Sequence, residues 1–394
     1  MDTDFFIFQS VLLRENPCTK KIMQWQSVIR IMIKAALVFA VINFGFVWLN
    51  PLPVLGRVSV YNTIVPGRPR LPYSDHPERA YSLSLFQLDA LFASHEIARP
   101  KSANEYRVVL IGDSSTWGFL LKPEDTLAAK INAARLTRPD GRTVRAYNLG
   151  YPIMSLAKDL LILQETMRYQ PDLIVWLVTL ESFPYDKQLF PPLLQHNPAP
   201  MQSLMTHYQL RLNPNDSNFI TESFWDQTLI GQRRALADWL RLQVYGVAWA
   251  ATGIDQDYPA TYEPRQEDFE ADDSFYDLQP PHLTSNDLAF DILSAGVQMA
   301  RETAVPLLMV NEPIFVSAGQ NSDIRYNFFY PRWAYDDYRP LLMEQCASRH
   351  WQCLDLWDLI PGSEFTNSAV HLTPLGSQMV ADEIGPVILE LANR

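Results

Sequence analysis

The chain has little cysteine: its 394 residues include three, at positions 18, 346 and 353. They form no C-x-x-C pair, which excludes a zinc or thioredoxin-like site of that kind. Cys346 and Cys353 lie close together in sequence. They form either a disulfide outside the cytoplasm or two buried thiols, and the sequence favours the thiols.

Charge is also scarce. Charged residues make up 19% of the chain, and acidic residues outnumber basic ones by 44 to 32, for a net charge of −12. Together with a hydrophobic content of 47%, this excludes a disordered chain and favours a folded body. An acidic surface repels phosphate backbones, so we do not expect nucleic acid as a partner.

One long apolar run stands out, from Val28 to Leu49. Its length suits a single membrane-spanning helix, which needs about 20 residues. Basic residues precede or open the run, Trp48 lies at its far end, and Pro51 follows it. The positive-inside rule therefore predicts a cytoplasmic N-terminus, with the rest of the chain outside.

The run has two alternative interpretations. A cleaved signal peptide would need small residues near its end, but the run ends in Phe46–Leu49, which are bulky. A cytoplasmic lipase with an incidental apolar N-terminus is the second alternative. We predict a cytoplasmic segment 1–27, an anchor at 28–50 and a connector at 51–105.

Beyond the connector, short β-branched runs alternate with longer helical patterns, which predicts a doubly wound parallel α/β sheet with helices on both faces. We assign this domain to residues 106–394, with a helical insertion at about 184–285. The predicted strands are Arg107–Ile111, Thr143–Leu149, Leu173–Val178, Pro306–Val310 and Trp351–Leu354. The predicted helices are Asp125–Leu136, Leu156–Tyr169, Phe224–Ala251, Asn286–Glu302, Tyr335–Arg349 and Pro374–Ala392.

The first chemical signal is Gly112-Asp113-Ser114-Ser115-Thr116-Trp117-Gly118, directly after the first predicted strand. Ligands of doubly wound sheets gather at the carboxyl ends of the strands. A serine in a tight turn there presents its hydroxyl, with backbone N–H groups nearby for an oxyanion. We therefore predict Ser114 to be the nucleophile.

The second signal is His371, in a loop between the last predicted strand and the last helix. A serine hydroxyl needs a base to remove its proton, and histidine has a suitable pKa. Gly150, at the end of the second strand, leaves room for its N–H to approach a substrate oxygen. His371 is therefore the predicted base, and Ser114 and Gly150 are predicted oxyanion donors.

These motifs resemble those of the SGNH, or GDSL-type, hydrolase superfamily. The first block carries the nucleophile onto Ser114, the Asn148-Leu149-Gly150 block carries an oxyanion donor onto Gly150, and the last block carries the base onto His371. The resemblance implies a three-layer fold with strand order 2-1-3-4-5. A membrane helix before such a domain resembles bacterial cell-envelope proteins that move acyl groups on and off polysaccharides.

The chain departs from the family pattern in two places. The third block lacks its usual Asn, which leaves Thr179 or Ser182 as a donor, and Glu181 beside them would oppose an oxyanion when ionised. The last block has Ser368 where the family has Asp. Either the site is a Ser–His dyad, or another group orients His371: the candidates are Ser368, Asp358, Glu364 and, through space, Glu181.

The predicted function is a serine esterase or O-acyltransferase acting through an acyl-serine intermediate on an ester, with a cell-envelope polysaccharide as the candidate substrate. Glu312, after the fourth strand, is a candidate for binding a sugar hydroxyl. Other envelope proteins are candidate partners, and neither metal nor cofactor is expected. The alternative is a catalytically inactive envelope protein that binds glycan or partner proteins.

Overall fold

The computed structural model describes residues 17–65 and 67–394, with side-chain surroundings from Trp25 onward. The predicted segment 1–27 therefore lies largely outside the described residues. The described chain divides into two compact units. The first comprises residues up to Pro51 together with Glu222–Arg234, and the second comprises Leu52–Thr221 together with Ala235–Arg394.

The first unit is built on one long helix, α1, Pro17–Leu49. Its stretch Trp25–Leu49 has 25 residues and a mean hydropathy of 2.0, so it is long and apolar enough to cross a membrane. Within the same unit, Asn43 accepts a hydrogen bond from the Ile230 N–H at 3.3 Å. The predicted anchor at 28–50 thus coincides with a helix.

Five strands of the second unit form one parallel sheet, in the order β2-β1-β3-β4-β5. Their bounds are β1 Glu105–Ile111, β2 Thr143–Asn148, β3 Leu173–Val178, β4 Leu307–Asn311 and β5 Gln352–Asp355. Because all five strands run in the same direction, their carboxyl ends meet at one edge of the sheet. The predicted fold class and strand order are confirmed.

Both faces of the sheet are covered, which makes it the middle of three layers. The side chains of β3 show why, since they alternate between two apolar cores: Ile174, Trp176 and Val178 enter one, and Leu173, Val175 and Leu177 enter the other. Successive side chains of a strand point to opposite faces. A strand with no polar position therefore requires apolar cover on both sides.

The helices of the second unit surround this sheet. They are α2 Leu52–Gly56, α3 Val60–Ile64, α4 Leu88–Ser94, α5 Ser114–Trp117, α6 Leu127–Ala133, α7 Leu156–Thr166, α8 Pro192–Gln195, α9 Pro198–Tyr208, α10 Arg233–Thr252, α11 Phe290–Glu302, α12 Arg332–Arg349 and α13 Pro374–Ala392. Helices α7, α11 and α12 pack into the first core, and α6 and α13 pack into the second.

The predicted helix Phe224–Ala251 begins too early, since α10 starts only at Arg233. Thr228 donates a side-chain hydrogen bond to the Trp225 carbonyl at 2.7 Å, which holds this stretch in a turn. A side chain at Gly231 would overlap the Trp225 and Asp226 carbonyls. Hydrophobic spacing does not show these turn contacts, so it places the start of the helix too early.

The connector belongs to the same compact unit as the sheet, which begins at Leu52 rather than at residue 106. Arg70 makes an isolated parallel bridge with Asn148, the last residue of β2. Leu71 accepts a hydrogen bond at 2.8 Å from the indole N–H of Trp117, next to the predicted nucleophile. The connector therefore helps to build the site.

Cys346 of α12 and Cys353 of β5 form a disulfide. This overturns the preference for two buried thiols. The bond ties the last strand of the sheet to the helix that precedes it in the chain.

Candidate active site

Ser114 is the first residue of the short helix α5, directly beyond β1. Asp113 caps this turn: its carboxylate accepts a hydrogen bond from the Ser115 N–H at 2.7 Å. Gly118 closes it with a φ of 86°, a left-handed conformation that glycine adopts without strain. The turn leaves Ser114 partly exposed at the carboxyl edge of the sheet.

His371 lies on a tight loop between β5 and α13. Phe365 and Leu372 pair in an antiparallel bridge, and the Thr366 N–H donates to the His371 carbonyl at 2.8 Å. The loop is tied to the body by the Phe315 N–H, which donates to the Ala369 carbonyl at 2.7 Å. These backbone bonds fix where the imidazole can lie.

The structure brings the two predicted residues together. The Ser114 Oγ lies 2.8 Å from Nε2 of His371, across 257 positions of sequence. The ring of Phe119 stacks on the imidazole with a centroid distance of 4.9 Å. Burial lowers the pKa of His371 to about 4, so the ring is neutral near pH 7 and can accept a proton.

A third residue completes the arrangement. The Asn367 side-chain oxygen lies 2.9 Å from Nδ1 of His371. When Nδ1 carries the proton it donates to this oxygen, and Nε2 is then free to accept the serine proton. The geometry is that of a Ser–His–Asn triad.

Asn367 was not among the predicted orienting residues, and this part of the prediction needs correction. In the described chain, Ser368, Asp358 and Glu364 make no hydrogen bond to His371; the Glu364 carboxylate instead accepts one from the Thr373 hydroxyl. The family pattern predicts Ser368, three residues before His371, as the orienting position. Asn367, four residues before His371, is the residue whose side chain contacts the ring.

The predicted oxyanion donors are placed unequally. The Ser114 N–H lies in the first turn of α5, where backbone N–H groups have no partner within the helix. The Gly150 N–H donates to the Asn148 side-chain oxygen at 3.0 Å, so it is already engaged. Thr179 is fully buried and its hydroxyl pairs with that of Tyr330 at 2.8 Å, which removes it from the surface of the site.

Gly150 nevertheless needs to be glycine. A Cβ at this position would overlap the backbone of Thr116 and Trp117. The end of β2 therefore packs directly against the turn that carries the nucleophile.

Glu181, the other residue considered for orienting His371, is engaged elsewhere. Its carboxylate pairs with the Lys187 ammonium and accepts from the Tyr276 hydroxyl. Burial raises its pKa even though Lys187 opposes the shift.

Glu312 was a candidate for binding a sugar hydroxyl, but the structure does not place it for that role, because only 1% of it is exposed. Its carboxyl group faces the carboxyl group of Asp113 and the hydroxyl of Ser115. Among the described residues, neither of its carboxyl oxygens has a conventional hydrogen-bond donor. The side chain lies beneath the nucleophile turn rather than at the surface.

A buried lysine, Lys158, lies close to Asp113. Lys158 is fully buried and its ammonium donates to the carbonyls of Gly112 and Tyr151, at 3.0 and 2.5 Å. It also pairs with Asp159 at 2.8 Å. Burial raises the pKa of Asp159 to about 6, with Lys158 acting against the rise.

A second buried ion pair braces the loop after the nucleophile. Arg70 pairs with both carboxylate oxygens of Asp255 at 2.7 Å. It also donates to the carbonyls of Gly118 and Leu121, at 2.8 and 3.0 Å. Burial alone would raise the pKa of Asp255, but Arg70 outweighs it and lowers the pKa.

A cavity of about 240 Å³ opens beside the triad. It is lined by aromatic rings and by carboxylates, including Tyr73, Phe119, Asp75, Asp257 and Glu263, and it reaches Asn367. The aromatic run at residues 325–333 does not face solvent throughout, since Tyr326 and Tyr330 are buried.

No protein-family model matches the sequence, and a search of curated proteins gives no match. Among solved structures, the chain is similar to a carbohydrate acetylesterase family member from Sinorhizobium meliloti, at 14% identity over 73% of this chain and 100% of that one, with a TM-score of 0.32. An acetylxylan esterase from Geobacillus stearothermophilus gives 11% identity, 74% and 95% coverage, and a TM-score of 0.35.

Proposed function

We propose that this protein is a serine esterase or O-acyltransferase. The observation that carries the proposal is the 2.8 Å contact between the Ser114 Oγ and Nε2 of His371, with Asn367 on the other ring nitrogen. A nucleophile, its base and an orienting group in hydrogen-bond contact are the requirements for nucleophilic acyl transfer. The cavity that reaches Asn367 offers room for a substrate beside this triad.

In the first half of the reaction, His371 takes the proton of the Ser114 hydroxyl as Oγ attacks the ester carbonyl carbon. The Ser114 N–H lies where it can stabilise the developing oxyanion. The imidazolium then gives its proton to the leaving alkoxide, and the acyl group stays on Oγ. In the second half, water or a sugar hydroxyl loses its proton to His371 and attacks the acyl carbon. The bond from that carbon to Oγ then breaks, and the imidazolium returns the proton to Oγ, which restores the serine and the neutral histidine.

The cavity favours a small acyl group on a sugar-like alcohol. Its volume of about 240 Å³ is at or below the lower end for pockets that bind drug-sized ligands. Aromatic rings such as Tyr73 and Phe119 suit the faces of sugar rings, and the carboxylates of Asp75 and Asp257 can accept hydrogen bonds from hydroxyl groups. An acylated cell-envelope polysaccharide is the proposed substrate class.

We also propose that α1 anchors the protein, with the N-terminus in the cytoplasm and the sheet outside. The basic residues before and within the start of the helix support this orientation. The disulfide between Cys346 and Cys353 supports the same side, since such bonds persist in oxidising compartments.

One observation favours the alternative, an inactive protein that binds glycan or partner proteins. The Gly150 N–H is occupied by Asn148, so a substrate oxyanion would find the Ser114 N–H but not this second donor. An oxyanion hole that uses both donors would require the Asn148 side chain to turn away when substrate binds.

Labelling by a fluorophosphonate probe tests the proposal, because the probe modifies a serine only when a base activates it. We expect the full-length protein in detergent to be labelled, and Ser114→Ala and His371→Gln to be unlabelled. Ser363 is an exposed serine in the stretch before His371. Ser363→Ala therefore serves as the control and should be labelled like wild type. A folded wild-type protein that takes no label would favour the inactive alternative.

Hydrolase and transferase are separated by product analysis. The wild-type protein is incubated with an acetyl ester donor and an oligosaccharide acceptor together. Acetate alone identifies an esterase, and acetylated oligosaccharide identifies a transferase.

A further inference from the structure

Asp113 and Glu312 form a buried pair of acids under the nucleophile turn. Both are at most 4% exposed, and they follow β1 and β4 at the carboxyl edge of the sheet. Two ionised carboxylates in contact repel each other and cannot hydrogen-bond, since neither has a proton to donate. One proton between them removes the repulsion and supplies the missing donor.

The partners of the two groups show which one holds the proton. The Asp113 carboxylate accepts from the Ser115 N–H at 2.7 Å, which favours its ionised form. Lys158, through its charge, favours the same form. Neither oxygen of Glu312 has a hydrogen-bond partner of good geometry among the described residues. The Ser115 hydroxyl that faces Glu312 lowers its pKa, but burial and Asp113 outweigh this effect.

We propose that Glu312 is protonated in the folded protein and donates a hydrogen bond to the Asp113 carboxylate, so that it is a positioning residue for Ser114. Asp113 in turn holds the Ser115 N–H, and this bond shapes the turn from which Ser114 projects. The charged or titratable groups that act on the pair are Lys158, Asp159, Glu181, Tyr330, Tyr335 and Tyr338. Burial and the neighbouring Asp113 raise the pKa of Glu312 well above its ordinary value.

Three variants test the role. Glu312→Gln keeps a hydrogen-bond donor without a charge, and Glu312→Leu removes both. Glu383→Gln, on an exposed position of α13, is the matched control. We expect Glu312→Gln to keep probe labelling of Ser114 within about threefold of wild type, and Glu312→Leu to lose at least tenfold or fail to fold.

The protonation state is read directly by infrared spectroscopy near pH 7. Wild type and Glu383→Gln should show the carbonyl band of a protonated carboxylic acid, and Glu312→Gln should lack it. This measurement needs no activity, so it remains informative if the esterase proposal fails. Absence of the band in wild type, or its retention in Glu312→Gln, would overturn the inference.

The pH dependence gives an independent readout. An acid whose pKa is raised by folding makes the protein less stable as pH rises through the range between its ordinary and its raised pKa. The melting temperature of wild type should therefore lose a contribution as the pH rises from the ordinary pKa of a glutamate towards the raised pKa of Glu312, and Glu312→Gln should remove that loss. Identical pH profiles of the melting temperature for the two proteins would contradict the proposal.

A second inference rests on a different part of the fold. Seven aliphatic side chains around α2, α3 and α10 are 47% to 77% exposed. They are Val54, Val58, Val60, Ile64, Leu240, Val244 and Val247. Single exposed aliphatic residues are ordinary, but a group of this size on neighbouring elements marks an interaction surface.

These elements are packed together. The Val60 N–H donates to the Gln243 side-chain oxygen at 2.8 Å, and Tyr61 packs so closely on Gly246 that an added Cβ would overlap its ring. Leu240, Val244 and Val247 follow the i, i+4, i+7 spacing of one helical face. Val60 and Ile64, four residues apart, share a face of α3 in the same way.

We infer that this aliphatic surface lies on the lipid bilayer. Helix α1 ends at Leu49 and α2 begins at Leu52. Three residue steps span at most about 10 Å, so in a membrane-anchored chain this surface starts close to the headgroups. The inference rests on the proposed membrane anchor and deepens it, since the body would then be held against the bilayer as well as tethered to it.

The test uses an environment-sensitive fluorophore on a cysteine at position 244, in the full chain with Cys18→Ser, reconstituted in phosphatidylcholine nanodiscs. The same fluorophore at position 383 is the control. We expect a blue shift and at least twofold quenching by brominated lipids at 244 only. Equal, weak quenching at both positions in nanodisc-bound protein overturns the inference. A blue shift at position 244 that comes from contact with a second copy of the chain, without quenching by brominated lipids, also overturns it.

Discussion

Asn367 and His371 lie on the same tight loop, and the side-chain oxygen of the first is 2.9 Å from Nδ1 of the second. The orienting group is therefore an amide rather than a carboxylate. An amide fixes the ring and its tautomer, but it does not stabilise the positive charge that the ring gains during reaction. This difference makes the pH behaviour of the site predictable.

The wild-type protein should stay reactive to low pH. Burial lowers the pKa of His371 to about 4, and only its neutral form can take the serine proton. The probe-labelling rate should therefore fall on the acid side with a midpoint near 4. Melting curves across the same range separate loss of reactivity from unfolding, and a midpoint near 6.5 would contradict the described environment of the ring.

Asn367→Asp should move that midpoint upward. A carboxylate next to Nδ1 favours the imidazolium and raises the histidine pKa by about 1 to 3 units. Ser368 makes no hydrogen bond to the ring among the described contacts, so Ser368→Asp is the matched control and should shift the midpoint less. A larger shift in Ser368→Asp than in Asn367→Asp would show that the wrong residue has been assigned.

Removing the amide should slow the reaction without unfolding the protein. In Asn367→Ala the ring loses its only described partner on Nδ1, and misplacement of a catalytic group costs up to about a hundredfold in rate. Ser368→Ala should label at the wild-type rate. Equal rates for both variants would remove Asn367 from the proposed triad.

The pair of Arg70 and Asp255 should matter for stability. Arg70→Ala leaves the buried Asp255 carboxylate without its charged partner and with the Tyr258 hydroxyl as its remaining described side-chain donor, which costs about 3 to 5 kcal/mol of unfolding free energy. Arg79 and Asp257 form an exposed pair at 3.1 Å, and Arg79→Ala should cost less than about 1 kcal/mol. Urea denaturation of both variants in detergent measures the difference, and similar midpoints would refute it.

The disulfide gives a prediction about stability and location. Cys346 and Cys353 are seven positions apart, and closing so short a loop contributes about 2 to 3 kcal/mol in the chain-entropy model. The double variant with serines at both positions should unfold at correspondingly lower urea, and Cys18→Ser should not. In intact cells, maleimide gel shifts should find this pair oxidised; a reduced pair would argue for a cytoplasmic domain.

The sheet could be predicted closely because its strands are apolar on both faces. Leu173–Val178 was predicted with the bounds that the structure has, since nothing in that run allows an exposed side. The start of α10 was missed because the contacts that hold Thr228 and Gly231 in a turn are local hydrogen bonds that periodicity does not show.

The site was less accessible from sequence. Ser114 and His371 are carried by motifs, and the structure places them in contact. The amide of Asn367, by contrast, is identified only once the Phe365–Leu372 bridge folds the loop back. The burial of Glu312 is likewise a tertiary fact. The Gly150 N–H, by contrast, is occupied by a local hydrogen bond to the Asn148 side chain two residues earlier.

The bridge between Arg70 and Asn148 has a practical consequence. An outer strand of a sheet exposes unpaired backbone groups that invite other chains to pair with it, and here the stretch before β1 shields the end of β2. A truncation that begins at β1 would remove the stretch that covers the end of β2 and would expose the Trp117 indole. A soluble form for crystallisation should therefore begin at Leu52 and keep the whole segment up to β1.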